Sequence, residues 1–159
     1  MIFRPMRRFK QQLSDPEALE VLKQAKRGVL SVIGDGGWPY GIWLNPHFRE
    51  ADGRIYFHGA KEGHKIDALH KDARASFTAI DEGVRDKGGW AYTFRSVAVF
   101  GRIEFVEDHE FAIELCRELA RRFNPSEADI EQEIRAAGAR VQVFCLVPEH
   151  ITGKRVHEA

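Results

Sequence analysis

Residues 54–69 read RIYFHGAKEGHKIDAL, and the way this stretch changes character decides the fold. Its first half alternates branched and aromatic residues in the manner of a strand. Its second half places apolar residues at Ile66, Ala68 and Leu69, as a short helix would. Between them lie two glycines, Gly59 and Gly63, two histidines, His58 and His64, and two lysines, Lys61 and Lys65. The order strand, glycine-containing turn, helix is what a phosphate cradle requires. It needs backbone N–H groups that a ligand can approach, positive charge, and a helix N-terminus. An ordinary β-to-α turn with a solvated lysine satisfies the same residues equally well. Only three residues separate the glycines and no Ser or Thr follows Lys65, so the spacing is not that of a triphosphate-binding P-loop. A metal site at His58, His64 and His70 is the weakest reading, because a six-residue spacing matches neither a zinc finger nor HExxH.

Upstream, SDPEALEVLKQA opens a helix. Ser14 is placed to cap it, with Glu17 three residues on and Pro16 in the first turn. Gly28 is expected to stop it. GVLSVIGDGGWPYGIWLNPHF then reads as two strands around a turn at Gly34 to Gly37. Asp52-Gly53 marks a second hairpin, followed by a third strand over Arg54 to His58. RASFTAI is a fourth strand, and DEGVRDKGGW reads as a mobile polar loop. AYTFRSVAVFGRIEFVED has strand character throughout, either as one long strand bent at Gly101 or as a pair. Asp108 is placed to cap a helix with Phe111, Leu115, Leu119 and Phe123 along one stripe. A shorter helix follows Pro125, RVQVFCLV is the last expected strand, and PEHITGKRVHEA reads as a polar tail. Hairpin-joined strands argue against a doubly wound sheet. They predict a single α+β domain over residues 1–159, with six or seven antiparallel strands in a small barrel flanked by helices.

Composition narrows the function classes. Lys plus Arg and Asp plus Glu number 24 each, so no electrostatic footprint for nucleic acid or an anionic membrane is expected. The basic cluster Arg4, Arg7, Arg8 and Lys10 reads as a solvated arm. The two cysteines, Cys116 and Cys145, are far apart, form no CxxC, and fit a reducing compartment. The first residues lack the apolar core of a signal peptide, and no apolar run is long enough to span a bilayer. A cytoplasmic location is the expectation. Trp38, Trp43 and Trp90 read as core or interface aromatics, with Trp90 the best placed to wall a substrate. His47 and His109 read as surface or capping residues.

PYGIWLN, GRIYFHGAKEGHKIDAL, YTFRSVAVFGRIEFVED and ITGKR together resemble the FMN-binding split-barrel superfamily. They are most similar to its nitroimidazole-resistance, pyridoxamine 5'-phosphate oxidase-related branch, from about Met6 to Arg155. The resemblance implies an antiparallel split barrel that forms a homodimer, with FMN in a groove shared by the two subunits. It places Trp43, Leu44 and Asn45 along the isoalloxazine edge through backbone contacts. It places His58 and Gly59 near the ribityl chain and phosphate, Lys65 on the phosphate after Gly63, and His64 beside it. Ser96 is implied to reach the flavin from the partner subunit. The implied activity is electron transfer from a nicotinamide or other donor to a small planar, nitroaromatic-like acceptor, with no obligatory catalytic side chain. A non-catalytic flavin- or haem-binding module and a deazaflavin-dependent reductase are the alternatives. The founding oxidase carries a basic strand under the phosphate, whereas GIWLNPH here has no Arg or Lys. Its tail ends Arg-x-His-x-Arg, whereas this chain has Arg155 and His157 and then Ala159. Pyridoxamine phosphate oxidation is therefore not the expected activity.

Overall fold

The computed structural model describes residues 3–85 and 87–158. Helix α1 spans Asp15–Gln24, and the Ser14 N–H donates to Glu17 Oε2 at 2.9 Å, as the capping pattern predicts. Ala18, Val21 and Leu22 form its buried stripe. The helix ends at Ala25, so Gly28 is not its stop signal. Gly28 instead opens strand β1, Gly28–Ile33, where a Cβ would collide with the Phe77 ring and the Thr78 carbonyl. The glycine is there for close packing of β1 on its neighbour.

Strand β2, Pro39–Leu44, returns antiparallel to β1 after the turn at 35–37. Asn45-Pro46 breaks the expected second strand, and β3 follows at His47–Arg49. Proline removes a ladder donor, which accounts for the interruption. The Asp52-Gly53 hairpin forms with Gly53 at φ 70° and leads into β4, Arg54–Ala60. Helix α2, His64–Lys71, and strand β5, Arg74–Ile80, come next. The polar loop holds a two-residue strand, β6, at Val84–Arg85, and Asp86 within it lies outside the described residues. β7 is one strand, Tyr92–Phe105. Asp108 Oδ1 accepts from Phe111 N at 3.0 Å and caps α3, His109–Arg121. Leu115 and Leu119 are buried, but Phe123 lies past the helix end and is exposed. Ser126 caps α4, Glu127–Ala137.

Two expectations are corrected. The described residues form eight strands, not six or seven. PEHITGKRVHE is no tail: β8 runs as one strand over Val141–Glu158 and pairs with β7 along almost its whole length. Ala159, where the sequence lacks a final arginine, lies outside the described residues. The sheet order is β2-β1-β5-β7-β8-β4-β3, antiparallel throughout, with β6 added to β7. β2 and β3 are the two ends of this order yet are joined by only Asn45 and Pro46, so the sheet must curl back on itself. The long β7–β8 pair is common to both halves. Its register slips at Phe100/Gly101, leaving Glu149 unmatched, and a Cβ at Gly101 would overlap the Val147 carbonyl. Inside the curl, Phe57 packs on Phe77 and Phe144 with centroids 5.3 and 5.6 Å apart, among Leu30, Val99 and Leu146. No helix among the described residues is long and apolar enough to cross a membrane.

Candidate functional site

β4 delivers His58 and Gly59 to the barrel rim, and α2 starts four residues later. Gly63 is the residue before the helix, at φ 119°, a conformation side chains rarely adopt. Among the described residues no side chain caps this helix; Ile66 N–H turns back to Gly63 O at 2.9 Å, and the His64 and Lys65 N–H groups before it are left for water or an anion. Lys65 folds back from the first turn over β4. Its Nζ lies 5.6 Å from the Phe144 ring centroid, and a Cβ on Gly59 would sit 2.7 Å from that nitrogen. The glycine thus makes the room that the ammonium occupies. Burial pushes the Lys65 pKa down, and among the described residues no carboxylate pairs with it. Although the His58 side chain reaches solvent, the protein around it lowers its pKa, first by burial and second by the charge of Lys65. An uncapped helix start, a half-buried cation without a counterion, and a neighbouring imidazole that feels its charge together define a seat for an anion.

His64 faces elsewhere. Its ring stacks on Tyr40 at 4.3 Å and 12°, and its Nε2 accepts from the Asp35 N–H at 3.4 Å. Lys71 donates to Asp35 Oδ1 at 3.1 Å, and that bond is the largest of the effects lowering the Asp35 pKa. The His64 side chain therefore ties α2 to the β1–β2 turn, leaving only its backbone N–H at the helix start. His70 stacks on Phe105 at 4.4 Å, so His58, His64 and His70 have separate surroundings. Among the described residues, no three His, Cys, Asp or Glu side chains are grouped to hold a metal ion.

The other expected residues gather on β2 and β7. Trp43 is 74% exposed, as Trp38 and Trp90 are at 77% and 75%, so none of the three belongs to the core. Leu44 is half-buried and packs on the core, and Asn45 donates from Nδ2 to Lys26 O at 3.0 Å. Ser96, half-buried on β7, donates to Lys154 O at 3.4 Å. Trp43 and Ser96 share a hollow of about 350 Å³ on the outer sheet face, floored by Val29, Ile80 and Ala98. A larger cleft of about 810 Å³ adjoins it, between the α1–β1 junction and the β5–β6 connection. Lys65, Gly59 and Gly63 line neither space. The structure thus brings the expected residues together as two groups, joined through the His64–Tyr40 stack at the base of β2.

Sequence reasoning missed the residue that holds the cleft wall. Arg122, at the end of α3, donates to Pro46 O at 2.6 Å, Lys23 O at 2.9 Å and Ala25 O at 2.8 Å. It fastens the β2–β3 break to the last turn of α1, whose carbonyls have no helical partners. It also missed Asp81, which accepts from the Arg95 N–H at 2.8 Å and from Arg95 Nε at 2.7 Å and so closes the cleft floor. Burial alone would raise the Asp81 pKa, but these bonds outweigh it and the net shift is downward.

A curled antiparallel sheet with long strands shared by two halves is a split β-barrel. A family model described as pyridoxamine 5'-phosphate oxidase matches residues 14–155, and the chain belongs to that family. Solved structures share the fold at low identity. One is a conserved hypothetical protein of Mycobacterium tuberculosis, with a TM-score of 0.78 and 20% identity over 94% of this chain and 90% of that one. Another is provisionally assigned to 5-nitroimidazole antibiotic resistance in Bacteroides thetaiotaomicron, with a TM-score of 0.75 and 21% identity over 92% and 87%. A third is an FAD- and heme-binding protein of Mycobacterium smegmatis, with a TM-score of 0.70 and 19% identity over 91% and 72%. No curated protein matches the chain.

Proposed function

We propose that the protein is an FMN-binding oxidoreductase that works as a homodimer on small planar acceptors of the nitroaromatic kind. The observation that carries this reading is Lys65: a half-buried ammonium with no carboxylate partner among the described residues, beside a glycine strand and an uncapped helix start. Family membership supports a flavin as the phosphate-bearing ligand. A phosphate dianion there would supply the counterion that half-buried Lys65 lacks among the described residues and accept from the His64 and Lys65 amides of α2. The bound flavin supplies the electron transfer, and the chain's task is to hold and orient it. The Trp43 to Asn45 backbone would run along the ring edge, kept in place by Asn45 on Lys26 O and by Arg122 on Pro46 O.

The partner subunit would lie on the outer face of β1, β2, β5 and β7. This face is unusually bland, with Ser31, Gly41, Ser76, Thr78, Ser96 and Ala98, while exposed Trp43 and Ile80 stand beside it on the cleft. A face of small residues lets a second sheet approach closely, as a packed interface requires. Sedimentation is expected to give about twice the 18.2 kDa chain mass.

The absorbance spectrum of purified protein tests the ligand, and an FMN titration of Lys65→Ala tests the seat. Loss of one charge-assisted contact, about 1.5–3 kcal/mol, predicts roughly 10- to 150-fold weaker binding. Unchanged affinity would remove Lys65 from the phosphate. The likeness to an FAD- and heme-binding protein favours one second reading, a flavin- or haem-holding module without turnover. A Soret band without flavin absorbance, or a flavin that neither NADH nor NADPH bleaches, would select it.

A further inference from the structure

The cleft between α1 and the β5–β6 connection carries charge that neither the phosphate seat nor the flavin contacts use. The chain as a whole balances 24 basic against 24 acidic residues. Among the described residues, four basic side chains line this cleft against two carboxylates. Two of the four are already committed: Arg95 pairs with Asp81 at 2.7 Å, and Arg155 with Glu17 at 2.8 Å. Next along the chain, Lys23 is held by Glu50 at 2.6 Å. Lys26 and Arg27 differ. Both are exposed, both line the cleft, and among the described residues neither has a carboxylate within 4.0 Å. Arg27 also lines the adjoining hollow, beside Trp43, where among the described residues Lys154 is the other charged side chain and no acid is present.

The end of α1 would ordinarily work against an anion here, because the carboxyl end of a helix is negative. That end has been neutralised. Arg122 sits on the Lys23 and Ala25 carbonyls, and the Asn45 amide sits on the Lys26 carbonyl. The same bonds fix the backbone from which Lys26 and Arg27 project. Apolar surface faces them across the opening: Trp43 at 74%, Ile80 at 62% and Val84 at 71% exposed. Glu82, the carboxylate on the β5–β6 wall with no cation partner among the described residues, adds to the asymmetry between the two walls. One wall is cationic, the facing surface is largely aromatic and aliphatic, and the volume of about 810 Å³ suits a ring-sized molecule.

We infer that this cleft selects planar substrates bearing a carboxylate or similar anionic substituent, which Lys26 and Arg27 receive while the ring lies against Trp43 and Ile80. The inference rests on the flavin reading for what is then done to the substrate, but its test does not need turnover. 4-Nitrobenzoate and 4-nitrobenzamide have nearly the same shape and differ in charge. Calorimetric titration of each into FMN-saturated protein, and again into protein without added FMN, measures the preference directly. At low ionic strength the benzoate is expected to bind about tenfold tighter, a difference that shrinks as salt screens the exposed cations. The double variant Lys26→Gln, Arg27→Gln changes only exposed side chains and is expected to bring the two affinities together. Equal affinities in the parent protein, no saturable binding of either probe, or a preference that survives the double variant would each overturn the inference. Failure of FMN to bind would overturn the flavin reading instead, while the titrations without FMN still report on the cleft.

Discussion

Gly59→Ala separates the anion seat from the stability of the barrel. The position is extended backbone in β4, paired with Gln142, and Gly59 is not among the positive-φ glycines. Alanine therefore fits the backbone and reduces the freedom of the unfolded chain, a stabilising effect of about 0.4–1 kcal/mol. Its Cβ, however, would lie 2.7 Å from Lys65 Nζ and 3.5 Å from Cε. The obstructed atom is the end of a flexible side chain, so the clash resolves by swinging the ammonium away. That movement gives up the approach of Nζ to Phe144, at 5.6 Å, an interaction worth about 0.5–1 kcal/mol at a partly exposed site. The two small stability effects nearly cancel, and the melting temperature is expected to move by no more than about 2 °C. The ligand loses more. A displaced Lys65 forfeits a charge-assisted bond of about 1.5–3 kcal/mol, which is roughly 10- to 150-fold in the FMN dissociation constant. Fluorescence titration of FMN and a thermal melt on the same preparation read both quantities. A variant that melts many degrees lower yet binds FMN normally would refute the reasoning, since Gly59 would then serve packing and not the seat.

Further expectations attach to other residues. His58 has a folded pKa below its ordinary 6.5, so the unfolded state binds more protons between the two values. Its contribution to stability therefore rises with pH through that window and is flat above 6.5, and His58→Gln should flatten the corresponding part of a denaturation-versus-pH curve. Gly101→Ala drives a methyl into the Val147 carbonyl, which is backbone and cannot step aside. It is expected to cost about 3 kcal/mol in urea unfolding, and a loss below 0.5 kcal/mol would show that the bulge can re-register. Arg122→Ala strips donors from three carbonyls and should cost about 2 kcal/mol, or about 4–8 °C in melting temperature.

What was legible in the sequence was local chemistry. Ser14 with Glu17, Asp108 before α3, and Asp52-Gly53 all act within a few residues of themselves, and all form as their types predict. The β4–α2 turn was legible for the same reason. The second half of β8 was not, because HITGKRVHE alternates without an apolar face and earns its strand state from β7, about sixty residues upstream. Gly28 was misread because its reason is Phe77, a packing partner far along the chain. Nothing near His64 in sequence announces that its ring stacks on Tyr40. Arg122 carried no signal at all: one more arginine at the end of a charged helix, whose three acceptors lie 76 to 99 positions away.

β8 stands between β7 and β4, and among the described residues no other strand connects the β3–β4 hairpin to the rest of the ladder. Neither portion can detach while this strand keeps its place, and neither has an alternative partner once it leaves. Deuterium uptake at Val97, Val99, Phe144 and Leu146 should then require opening of the entire molecule, with a common protection factor. Amides of the outlying strands β2 and β3 should instead exchange through fraying, orders of magnitude sooner.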